Sequence, residues 1–324
     1  MFRAGKRGRI GAERRRVLFV TDLHGSEITF RKAIKGVEVY GADALIVGGD
    51  LTGKQIVPLV QDGDRFTGQV MGTPVTVDEA GLGELSEAIK NLGQYPVPMS
   101  QVEYEHTMAS PEAQDDAFVE ACHDQVRAWM ARLDDRLGGR ATVFVTGGND
   151  DYLSIEPIID SAEWVINAEG RVVDLLTGVP MISSGYGNPT PWGCPRDVSE
   201  ETLGERIEAM AEQLDDSGGA VFNLHVPPHA SGLDRCMRLD TTVSPPRPVV
   251  GDEIDAGSTA VRAALERHQP ALSLHGHIHE CRGIRRIGAT RCVNPGSEYA
   301  EGVLNAAIVD FAGSELANIQ LVAA

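Results

Sequence analysis

ALSLHGHIHE, residues 271–280, sets three histidines, His275, His277 and His279, into five consecutive positions at the end of an apolar run. In an extended chain residues two apart point the same way. A turn at Gly276 would aim two of the imidazoles at neighbouring points. Packing explains one histidine at a strand end more easily than three, and neutral imidazole is the commonest metal ligand. The rest of the chain therefore poses one question: what could complete a metal site.

Four more apolar, β-branched runs end in metal-ligating or amide residues. Arg16–Thr21 (RVLFVT) precedes Asp22-Leu23-His24-Gly25, with Ser26 placed to cap a helix through about Lys35. Ala42–Val47 precedes Gly48-Gly49-Asp50-Leu51-Thr52-Gly53-Lys54, and Ala141–Thr146 precedes Gly147-Gly148-Asn149-Asp150-Asp151. Ala220–Leu224 precedes His225, with His229 just beyond two prolines. The opening reads β-α-β, the start of an α/β sheet. In such sheets ligands gather beyond the carboxyl ends of the strands. Each position alone has an ordinary explanation as a helix cap or turn. Together, Asp22, His24, Asp50, Asn149, His225, His277 and His279 point to a shared site.

The donor types decide the chemistry. Imidazole, carboxylate and amide without thiolate suit Mn, Fe, Zn, Co or Ni. Seven side chains are too many for one ion but fit two that share a carboxylate, which in two-metal sites lie about 3.5–4 Å apart.

The motifs Asp22-Leu23-His24, Gly49-Asp50-Leu51-Thr52, Gly148-Asn149-Asp150-Asp151, His225 and Gly276-His277-Ile278-His279 resemble, in order and placement, those of the calcineurin-like metallophosphoesterases. DLTGK, GGNDD, HGHIHE and NPGSEY are similar to a bacterial and archaeal subgroup. The resemblance implies a four-layer αββα sandwich of two mixed β-sheets flanked by helices. It implies one metal on Asp22, His24, Asp50 and His279, and another on Asp50, Asn149, His225 and His277. It also implies in-line attack on phosphorus by a water or hydroxide bridging the ions. The family usually has His where this chain has Asp150. An ionised Asp150 would repel phosphate, and could donate a proton only with a raised pKa; otherwise it could orient an imidazole. His229 is a spare candidate acid, against a plain reading as a loop histidine. Arg196 and Arg262 could grip phosphate or form surface ion pairs.

Elsewhere the pattern is structural. Residues 17–324 read as one domain with an insertion at about 54–140, containing a hairpin over 66–77 and helical stripes at Leu82–Leu92 and Phe118–Leu137; Tyr95–Pro111 reads as a loop. Residues 1–16 carry seven basic side chains against Glu13, a tail without fixed structure or a polyanion-binding arm. The net charge of −18 argues against a broad nucleic-acid or membrane footprint and for small or locally steered substrates; the resemblance implies that the partner is a small phosphoester. Five cysteines without a CxxC pair predict free thiols in a reducing, cytoplasmic setting. No run reaches the length of a membrane span, and no apolar run follows the first basic residues as in a secretory signal. The expected function is hydrolysis of a small phosphoester, a diester slightly favoured. A non-catalytic metal-binding scaffold is the alternative, and a nuclease a more distant one.

Overall fold

A computed structural model describes residues 13–243 and 246–324. In chain order, β1 (Arg14–Val20), α1 (Glu27–Tyr40) and β2 (Ala44–Gly48) open the fold. An excursion follows: β3 (Ile56–Asp62), β4 (Arg65–Val70), β5 (Thr73–Asp78), α2 (Glu79–Asn91), β6 (Tyr95–Ser100), α3 (Gln101–Thr107) and α4 (Pro111–Leu137). Then come β7 (Thr142–Thr146), α5 (Glu156–Asp160), β8 (Val165–Asn167), β9 (Val172–Leu176), β10 (Val179–Ser184), α6 (Glu200–Ala211) and β11 (Val221–Leu224). The chain closes with β12 (Arg235–Asp240), β13 (Arg247–Asp255), α7 (Thr259–His268), β14 (Leu272–Leu274), β15 (Gly283–Ile287), β16 (Thr290–Asn294), β17 (Asn305–Ala312) and β18 (Glu315–Ala323).

Two mixed six-stranded sheets carry the fold, in the orders β18-β17-β1-β2-β7-β8 and β15-β16-β14-β11-β10-β9. In the first, β1, β2, β7 and β8 run parallel, with β17 antiparallel to β1 and β18 antiparallel to β17 at one side. In the second, β10, β11, β14 and β16 run parallel between antiparallel β9 and β15. Strand alternation assigns the layers. Val17 and Phe19 of β1 point inward with Ala44, Ile46 and Phe144, against Met181, Val221, Leu272 and Leu274 of the other sheet. Leu18 and Val20 point outward onto α1 and α4, where Phe30 stacks on Trp129 at a ring separation of 4.0 Å. On the far side, Ile182, Phe222 and Leu224 pack on Leu203 and Ile207 of α6 and Val261 and Leu265 of α7. Each central strand is buried on both faces, which is why the five runs read as continuous apolar stretches. The four-layer α/β sandwich is thus the observed architecture.

Several elements differ in extent from expectation. Strand β1 begins at Arg14, so Arg14–Arg16 of the expected tail belong to the sheet. The strand extends because Arg16 binds Asp310 of β17 (Nε–Oδ1 2.7 Å) and donates to the Tyr40 carbonyl. Residues 1–12, the rest of that tail, lie outside the described residues. Helix α1 continues to Tyr40, where Gly41 supplies the left-handed C-terminal turn (φ 61°). The Ser26 hydroxyl does not cap α1; it donates to the carbonyls of Asn91 and Tyr299.

The Tyr95–Pro111 stretch is strand and helix, not loop. Strand β6 is an edge strand parallel to β3. Its Tyr95 N–H donates to Gln55, so Pro96 and Pro98, one position out of phase, turn their missing donors away from the sheet. Ser100 and Glu103 then form a reciprocal capping box that starts α3. With β3–β5, β6 makes a separate four-stranded sheet over a small core of Val57, Leu59, Phe66 and Ile89. The long α4 returns to pack on the first main sheet.

Candidate metal centre

The parallel strands of both sheets deliver their following loops to one place. After β1 and β2 the loops zip together: Asp22 N donates to Gly49 O (3.0 Å), His24 N to Asp50 O (2.9 Å) and Gly25 N to Leu51 O (2.7 Å). Asp151, fully buried, ties in the loop after β7. Its carboxylate accepts from Leu51 N, Thr52 N, Thr52 Oγ1 and Gly148 N, at 2.6–2.9 Å. Asn294 Nδ2 donates to the Gly276 and Ile278 carbonyls, fixing the histidine turn, and Ser297 Oγ donates to Asp22 O.

This bracing holds unusual backbone. Asp22, His24, Asp50 and His277 all have left-handed φ, at 53°, 40°, 50° and 67°. Such conformations cost about 1–3 kcal/mol each for residues other than glycine and gather at functional sites. The glycine beside each crowded ligand is equally constrained. A Cβ on Gly49, whose φ is 125°, would lie 2.3 Å from His225 Nδ1, and one on Gly148 2.1 Å from Asp50 Oδ1.

The side chains fall into two groups whose donor atoms lie within 4.8 Å of one another: Asp22, His24 and His279, and Asp50, His225 and His277. In the first, His24 Nε2 is 3.0 Å from His279 Nε2, which is 3.4 Å from Asp22 Oδ1. In the second, His225 Nε2 is 3.4 Å from Asp50 Oδ2. His225 Nδ1 lies 3.1 Å from the Gly48 carbonyl, an acceptor that places the proton there and leaves the Nε2 lone pair facing inward. Asn149 joins the second group through Oδ1, 2.9 Å from His277 Nδ1; its Nδ2 donates to Asp197, which sets the amide's direction. All seven sequence candidates meet here. His275 does not: its Nδ1 turns to the Leu224 and Val226 carbonyls.

The electrostatics fit a cation. Asp22 and Asp50 are buried, at 1% and 2% exposure, where burial alone would raise their pKa values. The surrounding imidazoles outweigh it and hold both well below the usual carboxylate range. Burial, then the Lys54 charge, takes His24 down to about 3; burial, then His225, takes His277 down to about 4. Burial opposes protonation of His225, but Asp50 prevails and lifts it to about 9; Asp22 likewise raises His279. Among the described residues, two buried carboxylates thus stand amid four imidazoles with no fixed cation beside them, a charge that divalent ions would balance. His225 Nε2, buried and without a hydrogen-bond partner, is the atom that most needs one. The residues present fit divalent cations held by N and O donors.

Other candidates have different surroundings. Asp150 does not orient an imidazole: it is ion-paired with Lys54 and accepts from Cys194 Sγ at 2.8 Å. His229 lies outside the cleft above the centre, its ring 4.0 Å from Asp234. Arg196 is neither a surface residue nor a phosphate grip. It is completely buried, 2.5 Å from Glu156 and 3.9 Å from Glu169, with Nε donating to the Asp151 carbonyl. Arg262 pairs with Glu266 and binds the His229 and Ala230 carbonyls.

The cleft, of about 890 Å³, opens between the loop bearing Trp192 and the β12–β13 hairpin, which adds Met237, Arg238 and Ile254. Of the excursion after β2, only Phe118 reaches it alongside Lys54, Gly53 and the β2 loop. Strands β12 and β13, which build the hairpin wall, carry no motif. Tyr299, not among the sequence candidates, packs its ring 4.8 Å from that of His24.

No family model matches the sequence. The uncharacterized protein MJ1162 of Methanocaldococcus jannaschii is 26% identical over 169 residues, 51% of this chain and 67% of that protein. The crystal structure of TT1561 of Thermus thermophilus superposes with a TM-score of 0.52 at 14% identity, over 96% of this chain and 99% of its own. A second crystal structure gives 0.55 at 15% identity, with the same coverage. The chain shares their fold. At such identities the likeness speaks of architecture, and the chemistry must come from the residues themselves.

Proposed function

We propose that this chain is a metal-dependent phosphoesterase that hydrolyses a small phosphoester, a diester slightly favoured, with two divalent ions. One observation carries the reading. Asp50 Oδ2 stands 3.5 Å from His24 Nε2 and 3.4 Å from His225 Nε2, so one carboxylate oxygen touches both donor groups. That is the position of a bridging ligand. One ion would then rest on Asp22, His24, Asp50 and His279, and the other on Asp50, Asn149, His225 and His277. Ions so placed lower the pKa of bound water towards about 7 and polarise phosphoryl oxygens.

The chain's own contribution is rigidity and selection. Strained, hydrogen-bonded loops hold the ligands in place before substrate arrives, as preorganised catalysis requires. The net acidity of the chain disfavours long polyanions, and the largely apolar cleft walls suit the organic part of a small ester. With Asp150 in place of the family's usual histidine, leaving groups of low pKa need the least help, which favours diesters and activated esters.

The test is turnover of aryl phosphodiester and phosphomonoester substrates with Mn, Zn or Fe. Wild type and His277→Ala should differ by orders of magnitude; equal rates would refute the reading. Two bound ions with no turnover across a broad panel would favour a non-catalytic scaffold. A companion prediction concerns Gly49→Ala. The new methyl displaces His225, so elemental analysis should find metal content cut to about half. Unchanged content would mean that His225 is not a ligand.

A further inference from the structure

We propose that Lys54 is a substrate-contacting residue: its ammonium, moored by Asp150 at the mouth of the metal centre, receives a phosphoryl oxygen of the bound ester. This rests on the phosphoesterase reading and adds to it a residue outside the ligand set.

Placement is the first argument. Lys54 follows Asp50 by four residues on a loop with little freedom. Leu51 and Thr52 donate to Asp151, and Gly53 N donates to Tyr95 Oη at 2.6 Å. A Cβ on Gly53 would sit 2.3 Å from the Gly93 carbonyl, so the turn closes directly against the neighbouring chain. Lys54 thus follows three residues whose backbone N–H groups are all fixed.

The ammonium's surroundings are the second. It pairs with Asp150, whose backbone N–H donates to Asp50 Oδ1 at 3.1 Å. Donor atoms of His24, Asp50 and Asp150 lie within 4.8 Å of one another. The ammonium is therefore separated from the ligands by a single residue, Asp150.

Availability is the third. The Lys54 side chain is 46% exposed and lines the cleft. An ammonium has three donors; among the described residues, Asp150 is its one hydrogen-bond partner. Two donors are thus left for a phosphoryl oxygen of the ester. The pairing also answers the problem Asp150 poses: an unpaired carboxylate there would repel phosphate, whereas a paired one steadies the cation.

The experiment compares Mn-loaded wild type, Lys54→Met, Asp150→Asn and the double variant. Three quantities are read: bound metal by elemental analysis, affinity for inorganic phosphate by calorimetry, and kcat/KM on aryl phosphomonoester and phosphodiester. Lys54→Met should keep its metal, bind phosphate about 10–100-fold more weakly, and lose more activity on the dianionic monoester than on the monoanionic diester. The double variant should stay weak. Recovery of wild-type phosphate affinity in the double variant would show that the lysine only neutralises Asp150 and would overturn the proposal. So would metal loss or unchanged affinity in Lys54→Met. A wild type that neither binds phosphate nor hydrolyses any ester overturns the phosphoesterase reading itself.

Discussion

Asp50→Asn should abolish phosphoester hydrolysis, by about a thousandfold or more, while leaving the fold intact. Loss of an outer-sphere partner of a metal ligand typically costs about 10–100-fold; a ligand shared by two ions should cost more. Asparagine matches the size of aspartate, and its Oδ1 still accepts from Asp150 N, which now binds Asp50 Oδ1 at 3.1 Å. It brings no charge, and it turns an NH₂ toward either His24 or His225 where an acceptor is needed. Elemental analysis should show loss of at least one of the two proposed ions. Near-native circular dichroism beside wild-type rates would remove Asp50 from its central role.

Arg196→Met should be the most damaging change away from the centre, costing about 3–5 kcal/mol of stability, as removal of one partner from a buried ion pair does. The guanidinium is completely buried among Glu156, Glu169 and the Asp151 carbonyl. The loss should depend on pH. Burial already lifts Glu169 to about 7, with Arg196 pulling it down. Without the arginine its folded-state pKa rises further above the unfolded value. A group raised in this way favours folding below its unfolded pKa, and that advantage fades as pH climbs through the folded pKa. The variant should therefore be closest to wild type near pH 5 and furthest from it near pH 8, measured by urea denaturation. A defect independent of pH would mean that Glu169 is not the carboxylate left stranded.

The legible part of the site was its chemistry, because ligand types follow apolar strands at fixed offsets. Val20 and Asp22, or Leu274 and His277, are neighbours in sequence, so local reading recovers them. The fold was legible for the same reason: strands covered on both faces write themselves as unbroken apolar runs. What lay hidden was contact between distant residues. Arg196 looks like any surface arginine until Glu156 and Glu169 close around it. Lys54 and Asp150 are separated by 96 positions, and nothing local predicts their pairing. The β12–β13 hairpin is mostly exposed and polar, so burial leaves no periodic trace in it. The capping box at Ser100 and Glu103, by contrast, was readable, and two prolines masked it.

The ligand loops come from both sheets: Asp22, His24, Asp50 and Asn149 follow strands of one, and His225, His277 and His279 follow strands of the other. Each proposed ion would draw on both, so each would act as a rivet through the seam between the sheets, joining positions as distant in sequence as Asp22 and His279. Chelation should then lower the melting temperature and speed amide exchange first at the strand ends flanking that seam, while the helices on the outer faces keep their protection.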